Sequence, residues 1–258
     1  MILTGLLLAA SSILSGQSTP GDGSLGGIVI NASDRRLPAV GAEVVLRVRV
    51  DGQLAVAAET TTDARGRFLF ESLPVDADLL YLPGANRGGV HYPGKSVRLS
   101  PRQAHARVEL LVHDAVAEPN PLVARRHEIV VRSEPGVLRV SETIRVDNPT
   151  TSSYVGRSAA DGAEPVTLRL AVPSDFERIT FDEEFFGRRF SLVGGRLVTG
   201  IPWTPGAREL KFTYLLRNNR RHRLLERPLD LPCSQLHVRV LTDEPEAISC
   251  NLAPVPCE

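Results

Sequence analysis

The sequence predicts an all-β protein: two tandem β-sandwiches, the second immunoglobulin-like, behind an N-terminal signal segment. Three observations carry this. Apolar residues recur at every second position over many short runs, as at Val44, Leu46, Val48 and Val50 with Arg47 and Arg49 between them. That period belongs to strands with one buried face. Turn residues such as Asp51-Gly52, Asp63 to Gly66 and Gly194-Gly195 separate the runs. No stretch of the first half carries a helical repeat of ordinary length. A chain of 258 residues suits one to two domains.

Residues Met1 to Gln17 differ from the rest, and Ile2-Leu3 with Leu6 to Ala10 form an apolar run too short to span a bilayer, which takes about 20 residues. It matches the apolar region of a secretory signal, although no Lys or Arg precedes it. Leu14-Ser15-Gly16 resembles a lipoprotein cleavage site, but Gln17 stands where the acylated Cys would be, which excludes acylation there. The reading is therefore a signal over 1–18, a flexible leader over 19–24, and a product in the periplasm, at the cell surface or outside the cell. No other stretch reaches transmembrane length. Thirty basic residues balance thirty acidic ones, so no net charge draws the chain to nucleic acid.

The organising stretch of the first sandwich is Thr60 to Pro74, read as a hairpin: a strand, a reversal at Asp63 to Gly66, and a return strand. Phe68 and Phe70 share one face, and burying each is worth roughly 1.5–3 kcal/mol. Before it come a strand at Gly27 to Ile30, the strand Glu43 to Val50 and its return through Leu54, Val56 and Ala58. After it, Leu79 to Leu82, Val90 to Tyr92 and Ser96 to Leu99 are short candidates, and Ala106 to Val112 closes the domain.

The motifs Gly27-Ile28-Val29, Leu37-Pro38-Ala39-Val40-Gly41-Ala42-Glu43-Val44 and Thr61-Thr62-Asp63-Ala64-Arg65-Gly66-Arg67-Phe68-Leu69-Phe70 with Leu73-Pro74 resemble the carboxypeptidase regulatory-like domain. The likeness covers about Leu25 to His113, with Asp76 where that family often has Gly. It implies a transthyretin-like sandwich, akin to starch-binding modules, acting as an accessory module without catalytic residues. The domain is placed at 25–114, followed by a stiff polar linker over 115–124 that contains Ala117-Glu118-Pro119-Asn120-Pro121.

The second sandwich is placed at 125–245. Its strands are read at Leu138 to Val146, Val166 to Val172, Phe190 to Leu197 around Gly194-Gly195, Leu210 to Leu216 and Leu236 to Val240. It resembles the β domain that follows carboxypeptidase regulatory-like modules in some bacterial envelope proteins, chiefly through Pro205 to Tyr214. A Cys/Pro-rich tail occupies 246–258, and a further strand from a downstream segment or another subunit is expected to complete the sheet.

No catalytic residue, cofactor or metal ligand is predicted. The sequence has no GxSxG elbow, HExxH, phosphate-binding loop or dinucleotide fingerprint. His91, His105, His113, His127, His222 and His237 are scattered singly. Asp182-Glu183-Glu184, flanked by Phe181, Phe185 and Phe186, reads more simply as a polar loop than as a calcium site. Contacts to a ligand or partner are sought at Trp203, at Tyr92, and at Arg220, Arg221 and Arg223. Those arginines belong to a run from Arg217 to Arg227 whose plainer reading is a solvated hairpin tip. Among Cys233, Cys250 and Cys257 one pair can form a disulfide with one thiol left over; Cys250 to Cys257 is the easier closure by loop length, and a zinc site is the weaker reading because close-paired ligands are lacking. These readings converge on a non-enzymatic envelope protein, structural or adhesive, whose partner is an envelope protein or polysaccharide. The alternatives are a carbohydrate-binding module, which needs an exposed aromatic ring, and an accessory subunit of a secreted hydrolase.

Overall fold

The computed structural model describes residues 21–158, 164–182, 190–218, 224–243 and 248–253. Among them every regular element is a strand, so the chain is all-β. The contacts divide it into two units: 37–86 and 91–112 with the strand residues up to 30, and 113 onward with 31–36 and 87–90.

In the first unit, β1 (Gly23–Asn31), β2 (Leu37–Pro38), β5 (Arg67–Leu73) and β8 (His105–Val112) form one sheet, with β1 central. The strands β3 (Glu43–Val50), β4 (Gln53–Thr61), β6 (Leu80–Arg87) and β7 (Val90–Pro93) form the other, in the order β4-β3-β6-β7. Alternation fills the space between them: Leu25, Val29, Val44, Leu46, Phe68, Phe70, Tyr81, Leu110 and Val112 are all buried. Phe68 and Phe70 meet edge to face with centroids 5.9 Å apart, a favoured arrangement for aromatic rings.

The reversal at Asp63 to Gly66 does not close a hairpin within one sheet. β4 pairs with β3 and β5 pairs with β1, so the turn carries the chain from one sheet to the other. Thr62 anchors the crossing: its buried hydroxyl donates to Ala39 O at 2.6 Å and accepts from Ala42 N at 2.8 Å. Gly66, at φ +71°, sits so close to Val29 O and Pro38 that a side chain would not fit. Ser96 to Leu99 is not a strand either; it makes one bridge, Tyr81 to Val97.

The second unit is built on a five-stranded sheet with three long strands at its centre and a shorter strand at each edge. Small pairings precede and interrupt it: β9 (Ala115–Val116) lies parallel to β12 (Ser153–Tyr154), and β13 (Arg157–Ser158) pairs with β14 (Pro165–Val166). The long strands β10 (Val123–Glu134), β11 (Val137–Asn148) and β19 (Gly206–Arg217) form its antiparallel centre. β16 (Phe176–Phe181) borders one edge and β20 (Leu236–Leu241) the other, β20 running parallel to β10. A three-stranded sheet holds β15 (Leu168–Ala171), β17 (Ser191–Val193) and β18 (Arg196–Thr199), with β18 central. Its Leu168, Leu170 and Leu197 pack with Val140, Ile144, Phe212 and Tyr214 in one core.

Candidate functional site

Position 142 on β11 is in phase with Val140, Ile144 and Val146, so its side chain points into the core. The residue there is glutamate, 1% exposed. A buried carboxylate needs partners, and the sheet register supplies them. His127 on β10 lies opposite Ile144, and Tyr214 on β19 lies opposite Val140, so both flank Glu142 diagonally on its own face. His127 Nε2 is 2.8 Å from Glu142 Oε2, and Tyr214 Oη donates to Oε1 at 2.9 Å. An ionised carboxylate only accepts, so His127 donates from Nε2.

The fourth member comes from an irregular segment. Arg227 Nε donates to both oxygens of Glu142, at 2.9 and 3.0 Å. Its Nη1 donates to Asp230 Oδ2 at 2.7 Å, and the Asp230 carboxylate also accepts from Ala171 N on β15 at 3.0 Å. Leu225 and Leu231 pack on the core to either side. The segment 225–231 is thereby tied at Glu142 to the five-stranded sheet and at Ala171 to the three-stranded one. Arg227 is in the core and not in a solvated tip, contrary to the sequence reading of the arginine run.

Burial alone would raise the Glu142 carboxyl, but the His127 hydrogen bond and the Arg227 charge outweigh it and hold the group below its ordinary value. The Tyr214 hydroxyl is pushed well up, first by burial and then by the Glu142 charge. The Arg227 guanidinium is held above its usual value because Glu142 and Asp230 outweigh the loss of solvent. Glu142 and His127, at 1% and 3% exposure, are closed to any substrate. The cluster is an internal clamp.

Beside it lies an open cleft of about 590 Å³. The strand pair β13/β14, the edge residues of β15 and β18, residues 117–120 and the clamp residues Asp230 and Leu231 line it. Glu118 and Arg157 face each other across 2.8 Å. Arg169 and Arg196 add two further cations. Burial and the Glu118 charge raise the Tyr154 hydroxyl, and Arg169 opposes them.

The residues singled out from sequence fare differently. Trp203 is 0% exposed and Tyr92 5%, so neither presents a ring to a sugar: each sits on the inward phase of its segment. The cation of Arg208 lies 5.6 Å above the Trp203 ring, and Tyr154 and Trp203 exchange backbone hydrogen bonds. Arg220, Arg221, Arg223 and Cys257 lie outside the described residues, as do Glu183, Glu184, Phe185 and Phe186. Cys250 is exposed and Cys233 half-buried, with no disulfide between them. His91 accepts at Nε2 from Arg47 at 2.7 Å and donates at Nδ1 to Asn86, whose amide nitrogen donates to Glu43. Burial and Arg47 hold His91 below the usual histidine value. Asp114 is ion-paired with Arg87 at 2.7 Å. Among the described residues no three His, Cys, Asp or Glu side chains converge on a metal position, and no helix is long and apolar enough to cross a membrane.

No protein-family model matches the chain, and no curated protein matches it. Among solved structures, similarity is found to an (S)-allantoin synthase, at 17% identity over 37% of this chain and 42% of that one, with TM-score 0.29. The major pilin SpaA of Corynebacterium diphtheriae is 13% identical over 81% of this chain and 66% of its own, with TM-score 0.30. The major pilin SpaD of the same organism is 14% identical over 76% and 58%, with TM-score 0.26. The chain thus spans less than two thirds of the length of each. Similarities this distant transfer no activity, substrate or partner.

Proposed function

We propose that the chain is an exported, non-catalytic envelope protein, a structural or adhesive module that works by holding a partner. The observation that carries this is the fate of its most exactingly placed ionisable groups. Inside the second unit His127, Tyr214 and Arg227 bond to Glu142, and Arg227 also to Asp230, fastening the five-stranded sheet to the three-stranded one. The apolar leader supports export through a signal over 1–18. The motifs of residues 25–114 support a carboxypeptidase regulatory-like sandwich, and 125–245 an immunoglobulin-like one, joined by the linker over 115–124. Cys250 and Cys257 are proposed as a disulfide in the oxidising compartment.

Intact mass of the native protein from separated host fractions tests this. A chain short by roughly 15–20 residues in the envelope or medium is the expected result, with two hydrogens missing for the disulfide. A full-length chain in the cytoplasm overturns the reading, the disulfide with it. A second reading, carbohydrate binding, is favoured by the open cleft beside the clamp and not by Trp203.

A further inference from the structure

The cleft is more than a depression, because of where its charges fall. In the β15/β18 register Ala171 stands opposite Arg196. Arg169 lies two residues before Ala171 and so shares its face, which makes Arg169 and Arg196 diagonal neighbours, about 7–8 Å apart at the backbone. Like charges so placed repel unless something negative lies between them.

The protein's own carboxylates are committed elsewhere. Glu118 is held by Arg157 at 2.8 Å. Asp230 is bonded to Arg227 and to Ala171 N, and is 4.0 Å from Arg196. Arg169 makes no ion pair with any carboxylate among the described residues. Of the cleft's three arginines, Arg169 keeps its donor fork and Arg196 is ion-paired only with Asp230 at 4.0 Å, beyond hydrogen-bond length, and a guanidinium fork fits a carboxylate edge to edge. Both side chains are solvent-reachable: Arg196 is 56% exposed at its side chain, and Arg169 is exposed.

The remaining lining narrows the ligand. Leu168 and Leu231 are 2% and 8% exposed, so they offer no open pocket to an apolar side chain. The Thr167 hydroxyl is spent on Thr199 O and Ile201 O. What the surface shows is guanidinium, the Asn120 amide and the Glu118–Arg157 pair, in a volume of about 590 Å³ that suits two or three sugar rings. We propose that this cleft binds an acidic saccharide, with a uronate carboxylate bridging Arg169 and Arg196. The inference rests on the reading of the protein as a binding module and names the site and ligand class.

The test is calorimetric titration of the full chain with trigalacturonate, maltotriose and triglutamate, at fixed low salt. Trigalacturonate should bind, with maltotriose at least about tenfold weaker. Arg169→Gln and Arg196→Gln should each lower trigalacturonate affinity about tenfold or more, and the double variant should abolish it. Arg178→Gln, an exposed substitution on β16, should leave it unchanged. All variants should keep the thermal midpoint of the parent, read from Trp203 fluorescence. No binding of trigalacturonate, binding that survives the double substitution, or an equal loss in Arg178→Gln overturns the proposal. Tighter binding of triglutamate through the same two arginines overturns the saccharide class. The localisation measurement is independent: a cytoplasmic chain that binds trigalacturonate through Arg169 and Arg196 sinks the envelope reading and leaves the site standing.

Discussion

Substituting Glu142→Gln is the sharpest probe of the clamp. The change preserves shape and removes one charge and one acceptor oxygen. Arg227, with side-chain exposure of only 5%, then faces an amide instead of a carboxylate, and either His127 or Tyr214 loses its acceptor. Breaking a buried ion pair from one side costs about 3–5 kcal/mol, because the other charge is left in a poor solvent. For a unit of this size that lowers the melting midpoint by about 10 °C. The single tryptophan, Trp203, lies in the same core, so its fluorescence during thermal or urea unfolding reports this unit. Tyr214→Phe removes one hydrogen bond to a charged acceptor and should cost less, about 1.5–3 kcal/mol. The double variant should lose less than the sum, since both changes act through one carboxylate. A Glu142→Gln midpoint within about 2 °C of the parent would refute the clamp as a source of stability.

The pH dependence of the same unit has a defined sign. Glu142 is depressed in the fold, so its contribution is complete above the unfolded value of about 4.3 and is lost as pH falls through the lower folded value. Tyr214 is raised, so its contribution holds below about 10 and is lost as pH climbs further. Stability curves against pH should become shallower on the acid side in Glu142→Gln and on the alkaline side in Tyr214→Phe, while the depressed Asp114 carboxyl keeps part of the acid slope. In the first unit, Thr62→Val removes both bonds of the inter-sheet turn and should cost about 1–3 kcal/mol, read as a lower calorimetric transition. Gly27→Ala would place a Cβ 2.0 Å from Val108 O, a backbone atom that cannot swing aside. It should cost about 3 kcal/mol or more, and soluble expression of the first unit with an unchanged transition would contradict the packing.

The fold class was legible because period-two alternation is written in the sequence, from Val44 to Val50 and from Leu210 to Leu216. The alternation also contained the clamp. Glu142 occupies the same phase as Val140 and Ile144, and His127 the same phase as Ile129 and Val131. A charged residue on an apolar phase is the signal, and reading only the apolar members passed over it. Strand β10 went unread because Arg125, Arg126 and Glu128 crowd its start, where the register shifts between Ala124 and Arg126. The partner Arg227 was illegible for another reason. It lies in a segment without periodicity, and its burial follows from long-range contacts that no local pattern encodes. Trp203 and Tyr92 misled as binding residues because a lone aromatic among prolines looks the same whether it plugs a core or caps a surface. The Asp63 to Gly66 turn was read correctly as a reversal, but local turn chemistry does not say whether the strands it joins pair with each other.

The parallel pairing of β20 with β10 brings residues 236 and 127 side by side. During synthesis the ribosome therefore releases His127 and Glu142 long before Arg227 and β20 exist to meet them. Until then the carboxylate stays hydrated, and the half-made sheet carries an unpaired edge with a charge on its inner face. Such a face resists premature closure. The clamp is therefore made of long-range contacts, with 85 residues from Glu142 to Arg227, and such contacts form only after a long loop has closed.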